Sequence, residues 1–120
     1  MVKQQTEIRL SVAYQSVQRS ISNTQAFLEW GKQKDMDILF VAEGWIGKRG
    51  GQEVTTQHPT FTLITGVGEG KVLGYIRKEN KQKVEVKGEG RGWTAVTIKG
   101  RKQECIGLYI QPNTKKEELE

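Results

Sequence analysis

Glu43 is the acidic residue whose position in the sequence most favours a chemical role. It directly follows a continuous apolar run, residues 38–42, and Gly44 and Trp45 come next. Such a run is typical of a strand buried on both faces, and ligands of open α/β sheets gather beyond the carboxyl ends of the strands. A carboxylate at the end of a rigid strand can bind a hard cation such as Mg²⁺. The alternative is a solvent-exposed glutamate without function, and position alone favours that alternative.

The other side chains that bind metals or transfer protons are few. Asp35 and Asp37 are the two aspartates, and they lie at the opposite end of the same strand from Glu43. His58 is the single histidine and has no second ligand near it, so a loop position is expected. Cys105 is the single cysteine and lies in a segment that alternates like a strand, so it is expected to be a small buried residue. Hydrolytic sites usually combine several such residues, so an incomplete catalytic set is predicted.

The segments that precede Glu43 have the hydrophobic periodicity of a strand, a helix and a second strand. Residues 7–14 alternate between apolar and polar side chains, which predicts a half-buried strand. Ser22 precedes Gln25 by the spacing of a capping box, which opens a helix, and Gly31 is expected to end it. Residues 36–42 form the second strand. This order implies a right-handed crossover between two parallel strands.

The remainder of the chain predicts antiparallel strands. Short β-type runs separated by glycine-rich turns occupy residues 61–65, 71–77, 84–87, 93–98 and 105–110. The expected fold is therefore α/β, with a mixed, mostly antiparallel sheet and one main helix. A chain of 120 residues has room for a single domain.

Charge and cysteine content narrow the classes of function. The net charge of +5 and the pI near 9.4 favour an anionic partner. Residues 71–102 contain ten lysines and arginines against three glutamates, interleaved with aromatic residues. This segment either follows a nucleic-acid backbone or is an ordinary charged sheet surface. The single cysteine excludes an intrachain disulfide, which predicts an intracellular protein, and no apolar run has the length of a membrane span.

Four segments, in order, resemble the endonuclease/exonuclease/phosphatase superfamily, which has the DNase I-like fold. They are residues 10–20, 37–45, 74–78 and 107–113. The resemblance is closest to the apurinic-type endonuclease domain of non-LTR (LINE-like) retrotransposons. Order and spacing agree from about residue 9 to the end of the chain. The resemblance implies that residues 1–120 correspond to the N-terminal half of one four-layer α/β sandwich.

The resemblance also implies roles for individual residues. Glu43 matches the glutamate that binds Mg²⁺ at the scissile phosphate, and Tyr109 matches the active-site tyrosine. Asn113 matches an asparagine that contacts the nucleic-acid backbone, and Arg19 lies in a loop that approaches DNA. Complete members cleave DNA by metal-assisted attack of water on a phosphodiester. In LINE-like elements, the resulting nick primes reverse transcription.

Two departures from the family pattern reduce the expected activity. Ser16 stands where members usually carry an asparagine that helps to form the metal site, which implies weak or absent Mg²⁺ binding. The family's Asp-x-Asn and Ser-Asp-His motifs have no counterpart, since no aspartate follows Asp37. The expectation is a truncated, magnesium-dependent endonuclease domain that is inactive alone, so whether the chain is itself an enzyme stays open.

The resemblance leads to further expectations about partners. Half of a sandwich exposes an apolar sheet face, which predicts a homodimer packed sheet on sheet. DNA is the expected nucleic acid, and the nucleus is the expected location for a eukaryotic retroelement. An alternative function is a non-catalytic module that binds nucleic acid or supports assembly through Arg77, Lys78 and Arg91. A retroelement remnant without function is a further alternative.

Overall fold

The computed structural model describes residues 10–68, 70–99 and 104–108. Its elements are one α-helix, one 3₁₀ helix and nine short strands within those ranges. In chain order they are β1 (Val12–Ser16), α1 (Ile21–Gln33), β2 (Ile38–Ala42), β3 (Gly47–Arg49), β4 (Gln52–Val54), β5 (Phe61–Leu63), β6 (Leu73–Arg77), the 3₁₀ helix (Lys78–Lys83), β7 (Val84–Gly90), β8 (Trp93–Ile98) and β9 (Glu104–Leu108).

The main sheet has four strands in the order β1-β2-β6-β5. β1 and β2 are parallel, with Val12 opposite Ile38 and Ser16 opposite Ala42, and α1 is the crossover between them. β6 is antiparallel to β2, and β5 is antiparallel to β6. The α/β fold with a mostly antiparallel sheet and one main helix is therefore confirmed.

The boundaries of β1 and α1 differ from those predicted. β1 continues to Ser16, so this residue belongs to the strand end rather than to the following loop. The N-cap of α1 is Ser20 and not Ser22, because the Ser20 hydroxyl accepts a hydrogen bond from the Asn23 N–H at 3.0 Å. The helix also continues past Gly31 to Gln33.

Gly31 is needed for packing rather than for ending the helix. A Cβ atom at this position would lie 2.5 Å from Leu39 Cδ1, so the missing side chain lets α1 approach β2 closely. Sequence periodicity could not reveal this role, because it depends on a contact between two different elements.

The core occupies both faces of the main sheet. On one face, Leu39, Val41 and Tyr75 pack with Phe27 and Leu28 of α1. On the other face, the strands β2 and β6 pack against the second sheet through two groups of buried side chains. These are Ile38, Phe40 and Ile76 from the main sheet and Val84, Val96 and Ile98 from the second.

This arrangement affects the dimer prediction. Because α1 covers one face of β2 and β6 and the second sheet covers the other, the open apolar sheet face expected from the sequence is not found on these strands. The homodimer itself stays a prediction, and light scattering that shows a monomer at high protein concentration would contradict it.

The second sheet, β7-β8-β9, contains the last three predicted antiparallel strands, whereas those predicted at residues 61–65 and 71–77 belong to the main sheet. Val96 and Ile98 pack in the core, and Thr94–Ile98 is buried throughout. The Thr94 hydroxyl donates to the Val72 carbonyl at 2.6 Å, which joins the two sheets. Trp93 lies against Gly88 and Gly90, where a Cβ atom would collide with the indole ring.

The hairpin β3–β4 and the 3₁₀ helix were not predicted. Gly50 and Gly51 form the hairpin turn with φ of +58° and +83°, a conformation that suits glycine. Among the residues that the structure describes, no helix is long and apolar enough to cross a membrane.

Candidate functional site

Ser16 and Glu43 meet at the carboxyl ends of the two parallel strands. Ser16 is the last residue of β1, and Glu43 directly follows Ala42, the residue paired with Ser16. The Ser16 hydroxyl donates a hydrogen bond of 2.7 Å to Glu43 Oε1. Glu43 is half-buried and Ser16 is exposed, so the pair lies at the surface of the protein. The structure therefore brings together Glu43, which the resemblance assigned to the metal, and Ser16, which stands at the position of the family's asparagine.

The backbone around this pair adopts an unusual conformation. Glu43 has φ of +54°, and Gln18 and Arg19 in the facing loop have φ of +54° and +61°. Asp35 is the only other residue with a side chain and positive φ in the described ranges. The left-handed region is unfavourable for residues that carry a Cβ atom. Such strain tends to concentrate at functional sites, so three strained residues at one sheet edge support a binding role.

Arg19 is tied to the same place. Its backbone N–H donates to the Glu43 carbonyl, and Val17 N–H donates to the Ala42 carbonyl at 3.0 Å. These bonds close the loop after β1 over the end of β2. The structure therefore places the exposed Arg19 in the loop after β1, next to Glu43, and its role toward DNA stays a prediction.

Tyr14 borders the site although the sequence interpretation did not include it. It precedes Ser16 by two residues on β1, so both side chains leave the same face of the strand. Partial burial raises the pKa of the Tyr14 phenol, and the negative charge of Glu43 adds to this effect. The i, i+2 spacing from Ser16 was the signal that could have identified it.

The donor set suits a cation that a phosphate helps to bind. Within the described part of the chain, no group of three or more His, Cys, Asp or Glu residues could hold a metal ion. Mg²⁺ commonly uses one or two carboxylates and completes its octahedron with water and substrate phosphates. Glu43 supplies one carboxylate. The Ser16 hydroxyl still has lone pairs when its proton is bound by Glu43. The two residues thus fit part of a magnesium site.

Asp37 has a structural role at the other end of β2. Its carboxylate accepts hydrogen bonds from the backbone N–H of Ser11 at 2.9 Å, the Ser11 hydroxyl at 3.1 Å and the Asn80 amide at 2.7 Å. These bonds join β1, β2 and the 3₁₀ helix. The expected separation of Asp35 and Asp37 from Glu43 is confirmed, because β2 lies between them.

Arg77 and Lys78 also lie at this opposite end. Arg77 N–H donates to the Asp37 carbonyl at 2.9 Å. The Arg77 guanidinium donates to the Met36 carbonyl at 3.0 Å and lies 5.4 Å from the centre of the Phe61 ring. Its contacts bind the α1–β2 connection to β6. Lys78 is exposed and begins the 3₁₀ helix. Neither residue is near Glu43.

The two remaining predicted site residues, Tyr109 and Asn113, lie outside the described residues. The strand that precedes them, β9, pairs with β8 and contacts β2.

His58 attaches the loop before β5 to α1. Its Nδ1 accepts a hydrogen bond from the Thr60 N–H at 3.1 Å, and its Nε2 lies 3.0 Å from Glu29 Oε1. The hydrogen bond with His58 is the main reason that the pKa of the Glu29 carboxyl lies below its usual value. His58 is therefore the loop residue that the sequence indicated, with a structural contact that the sequence did not show.

No family model, no curated protein and no solved structure matches this chain.

Proposed function

We propose that Ser16 and Glu43 bind a divalent cation together with a DNA phosphodiester, as in the N-terminal half of a retrotransposon-type endonuclease. The observation that carries this proposal is the 2.7 Å contact between the two side chains at the carboxyl ends of parallel strands. The strained backbone of Glu43, Gln18 and Arg19 supports it. Because the target is genomic DNA, the proposal implies a nuclear location in a eukaryotic host.

The two side chains have complementary tasks in this proposal. Glu43 supplies negative charge to the cation, and Ser16 fixes the orientation of the carboxylate through its O–H donor. Arg19 adds positive charge for a phosphate approaching the same edge. Bound Mg²⁺ supplies Lewis acidity and neutralises phosphate charge.

Binding is expected without efficient cleavage. Cleavage needs a general base in contact with the attacking water in addition to the metal ligands, and within the described residues no group of three or more His, Cys, Asp or Glu side chains could supply both. Purified protein mixed with supercoiled plasmid and Mg²⁺ should therefore leave the plasmid intact. Robust nicking that disappears in Glu43→Gln would contradict this expectation.

Magnesium-dependent DNA binding tests the proposal. Fluorescence anisotropy of a labelled duplex should show tighter binding in Mg²⁺ than in EDTA. Glu43→Gln keeps the side-chain size but removes the charge, so it should abolish this difference. Glu53→Gln changes an exposed glutamate on β4 and is the matched control. A magnesium effect that is equal in Glu43→Gln and wild type would refute the proposal.

A substitution toward the family pattern gives the opposite prediction. Ser16→Asn replaces the hydroxyl by an amide oxygen, which reaches further and is a stronger ligand for a hard cation. The magnesium-dependent gain in DNA affinity should therefore rise several-fold in the same anisotropy assay. A lower gain than in wild type would show that position 16 does not contact the cation.

A non-catalytic nucleic-acid-binding module is the second candidate, and the 3₁₀ helix is the observation that favours it. Lys78, Lys81 and Lys83 are exposed on this helix, and Lys99 N–H donates to the Lys83 carbonyl at 2.9 Å. Four lysines thus gather at the end of the molecule opposite Glu43. This candidate predicts salt-sensitive DNA binding that is independent of Mg²⁺.

Charge removal separates the two candidates. In the second candidate, Lys78→Gln and Lys81→Gln each lower the salt slope of the DNA affinity by about 1, whereas Glu43→Gln changes nothing. In the first candidate, the lysine variants leave the difference between Mg²⁺ and EDTA unchanged.

A further inference from the structure

Within the described residues, β1 is an outer strand of the main sheet, and it borders a groove of about 310 Å³ between this strand and α1. Phe27 and Trp30 of α1 line it together with Gln15 of β1 and Asn23, and the edge of β1 at Tyr14 completes it. Its volume lies at the lower end of the range for small-molecule sites, about 300–1,000 Å³. It is therefore large enough for a small flat ligand.

We infer that this groove binds one unpaired nucleobase of a nucleic acid whose phosphate lies at Ser16 and Glu43. The inference rests on the proposed function and names the part of the DNA, a base outside a duplex, that the same edge of the protein would bind.

Trp30 provides the surface of the groove for stacking. It stacks on Phe27 with ring centres 5.7 Å apart and planes at 14°. The Trp30 side chain is 41% exposed, whereas Phe27 is buried. Stacking on exposed aromatic rings is the general way in which proteins bind unpaired bases.

The polar residues of the groove match the edge of a base. Gln15 and Asn23 each carry both a hydrogen-bond donor and an acceptor in one planar group, the combination that pairs with base edges. All the side chains that line the groove are uncharged. The chemistry thus favours a neutral aromatic heterocycle over a charged peptide side chain.

The groove is continuous with the Ser16–Glu43 site. Asn23 lines the groove, and its side-chain N–H donates to the carbonyl of Val17, the residue directly after Ser16, at 3.4 Å. One nucleotide can therefore reach from the groove to the strand end. The net charge of +5 favours the approach of its phosphates.

The distribution of exposed apolar side chains agrees with a ligand at this edge. In the described part of the chain, five large hydrophobic residues are exposed, and two of them, Tyr14 and Trp30, line the groove. Exposed apolar surface at a groove often marks a binding site.

Two short oligonucleotides test the inference. One is a labelled thymidine pentamer, and the other is a pentamer of the same sugar-phosphate chain without bases. Wild-type protein in Mg²⁺ should bind the first about 5- to 100-fold more tightly than the second, the usual contribution of one stacked base. Equal affinities for the two oligonucleotides would overturn the inference.

Three variants assign the effect to the groove. Trp30→Ala should weaken binding of the thymidine pentamer to the level of the base-free one. Gln15→Ala alters an exposed strand residue and should weaken it several-fold without affecting the fold. Ile21→Ala is the control, because Ile21 is 43% exposed on the same helix but does not line the groove. Equal losses in Ile21→Ala and Trp30→Ala would overturn the inference.

Glu43→Gln separates this inference from the proposed function. If both hold, this variant weakens both oligonucleotides by the same factor and keeps their ratio. If Trp30→Ala removes the preference for bases but Glu43→Gln changes neither affinity, the groove binds bases and the proposed cation site is wrong. If Glu43→Gln weakens binding but Trp30→Ala does not, the groove is refuted and the cation site stands.

A second copy of the chain is the competing occupant of this edge. Analytical ultracentrifugation that shows a dimer which Trp30→Ala dissociates would overturn the nucleobase inference. Wild-type protein that binds neither pentamer would overturn both the inference and the proposed function.

Discussion

Replacing Glu43 by glycine and by alanine measures the backbone strain at the proposed site. Both variants lose the carboxylate and the hydrogen bond from Ser16, so these losses cancel in the comparison. They differ only in the Cβ atom at a residue with φ of +54°. A Cβ atom costs about 1–2 kcal/mol in this region, and the greater freedom of glycine in the unfolded chain offsets about 0.5–1 kcal/mol.

The glycine variant should therefore be the more stable one by about 1 kcal/mol. For a chain of 120 residues, this difference corresponds to a gap of about 4 °C in Tm. Urea unfolding followed by circular dichroism gives the free energies, and thermal unfolding gives the Tm values.

Glu53 provides the matched pair of control variants. It lies on β4 and does not have positive φ, so Glu53→Gly should be less stable than Glu53→Ala by about 0.5–1 kcal/mol. The sign of the glycine-minus-alanine difference should thus reverse between positions 43 and 53. If the alanine variant is as stable as the glycine variant at position 43, the backbone there is not strained and the argument from strain to function fails.

Two further predictions concern groups outside the site. Asp37→Ala should lower the free energy of unfolding, measured by urea unfolding, by about 2–3 kcal/mol. The reason is that the buried Asn80 amide, 8% exposed, loses its hydrogen-bond partner. Asp35→Asn changes a side chain that is 94% exposed, so its free energy of unfolding should stay within about 0.5 kcal/mol of the wild-type value. Equal losses in the Asp35 and Asp37 variants would contradict the structural role of Asp37. Burial raises the pKa of Tyr75 to about 12 from 10.0, and its hydroxyl donates to the Thr56 carbonyl at 2.7 Å. The folded state holds the Tyr75 proton more tightly than the unfolded state, so the stabilising contribution of this hydroxyl is complete below pH 10. The free energy of unfolding then falls by about 3 kcal/mol as the pH rises through 12. Tyr75→Phe should remove the last phenolate step of an absorbance titration, and persistence of that step would refute the assignment.

The strand pattern was the part of the fold that the sequence predicted best. The apolar run before Glu43 predicted a strand buried on both faces, and Ile38–Ala42 is buried throughout. The β-type run at residues 93–98 predicted the strand Trp93–Ile98 with the correct bounds. Both signals are local and arise from burial, so they need no knowledge of which elements pack together.

The features that the sequence did not reveal depend on contacts between elements. Glycine often ends helices, but Gly31 lies inside α1. Leu39 occupies the space that a side chain at position 31 would need. Arginine is a common DNA-binding residue, yet the Arg77 guanidinium donates to backbone carbonyls such as that of Met36. The covering of both faces of the main sheet likewise depends on how β7–β9 fold back onto it.

For the site, the sequence predicted the position of Glu43 at the end of a buried strand, and Ser16 entered only through the resemblance. The sequence could not predict the positive φ of Glu43 or the groove beside Tyr14 and Trp30. A backbone dihedral angle and a cavity both result from the closure of the β1–α1 loop over the end of β2, and neither has a pattern of residue types that would reveal it.

Binding of Mn²⁺ followed by NMR tests the central claim most directly. Mn²⁺ replaces Mg²⁺ at oxygen ligands and broadens the signals of nearby nuclei. At low Mn²⁺, the amide signals of residues 16–19 and 43–44 should broaden first, and Glu43→Gln should remove this effect. Broadening that begins around Asp35 and Asp37, or that is unchanged in Glu43→Gln, would contradict the claim.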